Sequence, residues 1–363
     1  MTTIYSLPNV EITHLVDIVE ERPIALLAGE RAWRAVNSLL SLPIVVQANP
    51  ERLEADYLDG LAADLPPEVE AVYGIGGGMV ADAAKYIASR RGLPAVVMPT
   101  ALSVDGFFTP IVAMRGGGSV SYVETGPAER IYIDWDVIRT APQHYRGAAI
   151  VELLTIVTGL LDWKYAAEHN KNTADMRYVE WAAKVMAGIA QQAFKIAAGV
   201  GRGNVEALRN LLDLMCLEVQ ITNQLGHTRP QEGSEQYFAY ALEPRMVTPY
   251  DVCRYGRAGH SHLRRPTQSG RLVDPLHTGI GGHSPQPTDG TGHPRHHQHP
   301  AELRTQAQPA VQHFERSRPH LGTRRRNSGA DRAGQIELSP LTLSPPVVWA
   351  VNSSHRREST HPV

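Results

Sequence analysis

From residue 23 to 134, short apolar runs alternate with amphipathic stretches. RPIALLAG (22–29) reads as a strand, RAWRAVNSLLS (31–41) as a helix and LPIVVQA (42–48) as the next strand. The order then repeats: PERLEADYLDGLAADL (50–65) is helical, VEAVYGI (69–75) a strand, GMVADAAKYIASRR (78–91) a helix and PAVVMP (94–99) a strand. Strands separated by crossover helices predict an α/β domain with a parallel, doubly wound sheet over residues 1–142. FFTPIVAMRGGGSVSYVET (107–125) carries three glycines between two β-prone segments and suits a hairpin, and RIYIDWDVI (130–138) reads as a strand returning to the sheet.

The strand signal ends near residue 143. AAIVELLTIVTGLLDWKYAAEH (148–169) and ADMRYVEWAAKVMAGIAQQAFKIAAG (174–199) have the period of helices, which predicts an all-α second domain over 143–250. Trp163, Trp181, Met186 and Met215 read as packing residues on its helices. Beyond residue 250 the periodicity stops. The stretch 251–363 has too little clustered apolar surface to offset the entropy of ordering it, so a disordered tail is expected there.

Charge sharpens that boundary. Residues 1–250 hold 20 Lys+Arg against 29 Asp+Glu, whereas 251–363 hold 15 against 8, with no lysine and 12 of the 16 histidines. His293, His296, His297 and His299 are a candidate metal cluster and Arg324, Arg325 and Arg326 a candidate nucleic-acid contact, but biased tracts of this kind are ordinarily just solvated. A reading-frame shift in a GC-rich gene accounts for the composition best. Two cysteines, Cys216 and Cys253, cannot build a disulfide framework. With no leader-like start and no apolar run of membrane length, a soluble cytoplasmic protein is expected.

The sharpest local signal is Tyr73-Gly74-Ile75-Gly76-Gly77-Gly78, where a strand should hand over to a helix. Glycines let the chain turn tightly there and approach a diphosphate, whose charge meets free N–H groups and the positive helix end. The spacing is not that of the usual dinucleotide fingerprint, and such a run is also compatible with a plain tight turn.

Read together, GIGGGMVADAAKYIA (74–88), VVMPTALSVDGFFTP (96–110), LLDWKYA (160–166) and RPQEGSEQYFAYALE (229–243) resemble the glycerol-1-phosphate dehydrogenase branch of the iron-containing alcohol dehydrogenase and dehydroquinate synthase-like superfamily. The resemblance covers roughly residues 10–250. It implies an N-terminal domain that binds NAD or NADP, a helical domain that holds a divalent metal, zinc above all, and an active site in the cleft between them. Gly76, Gly77 and Gly78 would receive the diphosphate, with Asp82 near the cofactor at the start of the next helix. Thr100 and Ser103 would line the nicotinamide side, and Asp105 would face substrate and metal. From the residues alone, Asp82 is a first-turn carboxylate and Asp105 a turn former before Gly106.

The implied metal ligands depart from the family pattern. Glu152 stands where an Asp is expected, and Gln236, closing Gly233-Ser234-Glu235-Gln236, where a His is expected. No His-Gly dipeptide supplies the third ligand, and the pattern is lost after Tyr250, so the helical domain reads as incomplete. A carboxamide is a poor zinc ligand, which predicts weak or absent metal binding and low activity. His227 reads as structural. Exposed apolar surface and aggregation are expected of an incomplete helical domain.

The reading is therefore an NAD(P)-dependent, metal-requiring dehydrogenase of a small polyol or polyol phosphate, most like sn-glycerol 1-phosphate. Val104 replaces a His frequent in that branch, which leaves another alcohol open. The alternatives are a dehydroquinate synthase-like cyclase and a non-catalytic dinucleotide-binding protein with a basic tail. A homo-oligomer is implied by the relatives; neither a membrane nor nucleic acid is expected as a partner.

Overall fold

A computed structural model of the chain describes residues 3–116, 118–242 and 350–351. Residues 243–349 and 352–363 lie outside the described part, and with them the His293–His299 and Arg324–Arg326 clusters and nearly all of the segment read as a tail.

The first part alternates as the pattern predicts. Its elements are β1 (Asn9–Ile12), β2 (Ile24–Ala28), α1 (Glu30–Val36), β3 (Ile44–Ala48), α2 (Ala55–Ala63), β4 (Ala71–Gly76), α3 (Gly78–Arg91), β5 (Ala95–Pro99), a hairpin of β6 (Ile111–Gly116) and β7 (Ser119–Glu124), and β8 (Arg130–Ile133). One sheet has the order β1-β8-β5-β4-β2-β3, all parallel. At its edge β9 (Ala350–Val351), two residues of the segment read as lacking order, pairs antiparallel with Val46 and Gln47. β2, β4 and β5 are buried along their whole length, as expected of parallel strands covered on both faces.

Sequence reading misses β1, whose four residues carry little apolar signal because among the described residues it is an edge strand, paired with β8. It also overextends β8. Asp134 accepts a hydrogen bond from the Asp136 N–H and caps α4 (Trp135–Thr140), so the chain turns helical where 130–138 read as one strand.

The second part is helical: α5 (Gln143–Arg146), α6 (Ala148–Glu168), α7 (Glu180–Gly201), α8 (Val205–Leu225) and α9 (Ser234–Leu242). Asn204 caps α8 through the Ala207 N–H, and Gly226 ends it in the left-handed conformation. Trp163, Met186 and Met215 are fully buried, but Trp181 is 53% exposed, so the packing role read for it is corrected. It shares the surface of this part with Leu161, Tyr165, Val185, Phe194 and Leu217. Among the described residues no helix is long and apolar enough to cross a membrane.

Candidate functional site

Strand order fixes where a ligand fits. β2 leads to β3 on one side, whereas β4 lies on its other side, so the chain reverses direction between β2 and β4. In open α/β sheets such a reversal opens a crevice beyond the carboxyl ends of the strands. Gly76 ends β4 there at φ +150°, a conformation that favours glycine, and a Cβ on it would lie 3.6 Å from Ala32 in α1. Gly77 is exposed, and a Cβ on it would meet nothing within 4 Å. Gly78 opens α3, whose first N–H groups face the same opening. One turn further on, a Cβ at Gly74 would lie 2.8 Å from Ala84, so its absence seats α3 against β4. The cradle left by these glycines, next to a helix N-terminus, fits the diphosphate of a dinucleotide.

The chain after β5 passes over this turn. The Thr100 N–H donates to Gly76 O at 3.2 Å, and a Cβ on Gly78 would lie 3.0 Å from Val104. Thr100 and buried Ser103 therefore flank the glycine turn. Asp105 follows in a single helical turn, and its Oδ2 accepts from Gln231 Nε2 at 2.9 Å. That bond links the α/β part to the turn before α9.

Asp82 is placed differently from a simple cofactor neighbour. It is buried, its Oδ2 accepts from the Ala113 N–H at 3.3 Å in the hairpin, and its Oδ1 lies 3.4 Å from Lys85 Nζ. Lys85 in turn donates to the carbonyls of Gly106 (2.7 Å), Ile111 (2.8 Å) and Thr109 (3.2 Å). Burial lowers the Lys85 pKa and raises that of Asp82, each opposed by the other's charge. Lys85 thus holds the loop that carries Asp105, a role absent from the sequence reading. Its signal was a charged i,i+3 pair in the middle of an alanine-rich helix.

On the helical side, the turn from Gly226 to Gly233 docks on α6. A Cβ at Gly159 would lie 2.8 Å from the Gln231 carbonyl carbon and Pro230 O, and Asp162 Oδ2 accepts from the Ser234 N–H at 2.6 Å to cap α9. His227 packs edge-on against Trp163, with Nδ1 accepting from the Arg229 N–H. Burial lowers its pKa.

Carboxyls act on one another across this region: Asp105, Glu232 and Glu235 on Glu152 in α6, Asp105, Glu152 and Glu232 on Glu218 in α8, and Asp105 on Glu232. Burial first, and then the neighbouring acids, push Glu152 and Glu218 well above the carboxylate range. Asp105 is also raised by burial, although Gln231 and Lys85 oppose the shift. Glu232 accepts from the hydroxyls of Tyr122 (2.7 Å) and Thr228 (2.8 Å). Burial holds Glu235 up at about 7.

The described residues do not fit the implied metal. Gln236 Nε2 donates to the Tyr240 hydroxyl at 2.7 Å, and an amide oxygen replaces an imidazole. Among the described residues, the single group of three that brings ligand atoms within 4.8 Å of one another is His14, Asp134 and Asp136. None of these is an implied ligand position, and Asp134 is already committed to the N–H groups of Leu15 and Asp136.

Residues 13–142 match the iron-containing alcohol dehydrogenase family. Glycerol-1-phosphate dehydrogenases [NAD(P)+] are among its curated relatives. That of Hyperthermus butylicus is 30% identical over 62% of this chain and 65% of its own length. That of Aeropyrum pernix is 34% identical over 56% of this chain and 55% of its own. The chain thus spans less than two thirds of these relatives. In fold it resembles a probable glycerol dehydrogenase from Sinorhizobium meliloti, with a TM-score of 0.55 at 15% identity over 70% of this chain and 75% of that one. It also resembles sulfoacetaldehyde reductase from Bifidobacterium kashiwanohense, solved with NAD+, with a TM-score of 0.51 at 15% identity over 75% of this chain and 79% of that one.

Proposed function

We propose that the chain is an NAD(P)-dependent dehydrogenase of a small polyol or polyol phosphate, working in the cytoplasm, with a nucleotide domain over 1–142 and a helical substrate domain over 143–250. The observation that carries this is the glycine turn at the reversal point of the sheet, with the segment from Thr100 to Asp105 lying across it. The activity of the glycerol-1-phosphate dehydrogenases that it resembles supports the reaction class.

When bound, the nicotinamide supplies a ring carbon that accepts hydride from the alcohol carbon. The backbone N–H groups at Gly77 and Gly78 hold the diphosphate, and Thr100 and Ser103 orient the ring. Asp82 acts indirectly, through Lys85, by fixing the loop. As the C–H bond breaks, the hydroxyl proton must leave, and the Asp105 carboxylate, oriented by Gln231, accepts it. No step is assigned to a metal, because Glu152 and Gln236 do not make a site for one.

That same ligand set favours a second reading, a dinucleotide-binding protein without turnover. Separate titrations with NADH, NADPH and Zn²⁺ test both. Nucleotide binding at micromolar concentration with alcohol-dependent NADH formation supports the dehydrogenase. Binding without turnover selects the second reading, and no nucleotide binding rejects both.

A further inference from the structure

Val104 is wedged between the glycine turn and the turn that carries Asp105. Its Cγ1 lies 3.0 Å from where a Cβ on Gly78 would stand, and its Cγ2 lies 3.0 Å from where a Cβ on Gly106 would stand. Both separations are closer than ordinary van der Waals contact, so each methyl occupies room that a glycine leaves free. Gly78 opens α3, and Gly106 belongs to the single helical turn Asp105–Phe107. The backbone on either side is pinned. The Thr100 N–H donates to Gly76 O at 3.2 Å, Lys85 Nζ to Gly106 O at 2.7 Å, and the Phe108 N–H to Asp105 O at 2.7 Å. Val104 itself is extended, at φ −155° and ψ 153°, and a side chain branched at Cβ is stiff about χ1. It therefore cannot give way to either glycine by turning aside.

We propose that Val104 is a positioning residue that couples the diphosphate cradle to the Asp105 turn, so that seating the dinucleotide and placing the Asp105 carboxylate depend on one another. The contact is steric and close-packed, and packed side chains of this kind carry a displacement of a few tenths of an ångström from one element to the next. Gly106 lies outside the cradle, so a methyl added there acts on the nucleotide through Val104. The inference rests on the dinucleotide reading for its ligand, but the contact itself is tested without one.

The test compares the full chain with Gly106→Ala, Val104→Ala, Val104→Thr and the double variant Gly106→Ala/Val104→Ala, each titrated with NADH by fluorescence and unfolded in urea. Gly106→Ala should weaken NADH binding by about tenfold, and the double variant should bind within about twofold of Val104→Ala alone. Val104→Ala should weaken NADH by about threefold, and Val104→Thr, which keeps the branched shape, should restore it. Without nucleotide, Gly106→Ala should lower the urea midpoint in the parent and leave it unchanged in the Val104→Ala background. Where Gly106→Ala does not fold, Gly78→Ala, whose methyl meets the other arm of Val104, gives the same urea cycle. Equal NADH affinity in the parent, Val104→Ala and Gly106→Ala overturns the proposal. So does a Gly106→Ala loss that persists in the Val104→Ala background, or a urea cycle in which the shifts simply add. A parent that binds neither NADH nor NADPH removes the dinucleotide reading, and the urea cycle then decides by itself whether Val104 joins the two turns.

Discussion

The side-chain amide of Gln231 donates to Asp105 Oδ2 at 2.9 Å, joining the loop after β5 to the turn before α9. The two residues are 126 positions apart. Gln231→Leu leaves that carboxylate oxygen without its donor inside the protein. A loss of about 1–3 kcal/mol in urea unfolding at pH 7 is expected. Equal stability of variant and parent would show that water replaces the amide without cost.

Gly77 separates cofactor binding from folding. Its φ of −91° suits any residue and its Cβ would meet nothing, so a side chain there projects into the crevice. Gly77→Val should weaken NADH binding by about tenfold or more, read by fluorescence titration, with an unchanged melting temperature.

Lys85→Met removes the donor of three carbonyls and leaves Asp82 as an uncompensated buried charge. The expected cost is about 3–5 kcal/mol in denaturant unfolding. Combining it with Asp82→Leu should recover part of the loss, because the two groups are coupled.

Two helix glycines should respond in opposite directions. At Gly159 a methyl would lie 2.8 Å from backbone atoms of Pro230 and Gln231, so Gly159→Ala should cost about 1–3 kcal/mol. At Gly188 in α7 nothing lies within 4 Å, and Gly188→Ala should stabilise by up to about 1 kcal/mol. Thermal unfolding of the two variants beside the parent checks both signs.

Glu20 links stability to pH. Burial opposes its ionisation, but hydrogen bonds from Arg22 and the Tyr73 hydroxyl overcome this and hold its carboxyl at about 2, below the ordinary 4.5. Because the folded pKa is depressed, its contribution is complete above pH 4.5 and fades as pH falls through about 2. The gap in urea midpoint between the parent and Glu20→Gln should therefore be constant from pH 7 to 5 and narrow below 4.5.

How far the sequence reaches differs from element to element. α3 begins and ends where its pattern says, at Gly78 and Arg91, because a glycine turn and a left-handed Gly92 mark its two ends. β1 escapes notice because an edge strand needs no continuous apolar run. Trp181 shows the limit of residue type, since its ring is apolar but more than half exposed.

By itself, the order of apolar runs determined a parallel sheet followed by helices, since local periodicity records which faces are buried. The glycine run likewise located the turn that could hold a diphosphate, because only residues without a side chain permit it. Tertiary structure alone decided that Lys85 is spent on the Asp105 loop, that Gln231 reaches Asp105, and that Glu218 is fully buried with no hydrogen-bond partner among the described residues. Those facts depend on segments far apart in the chain meeting in space, and a buried charge takes its character from such neighbours, not from its place in the sequence.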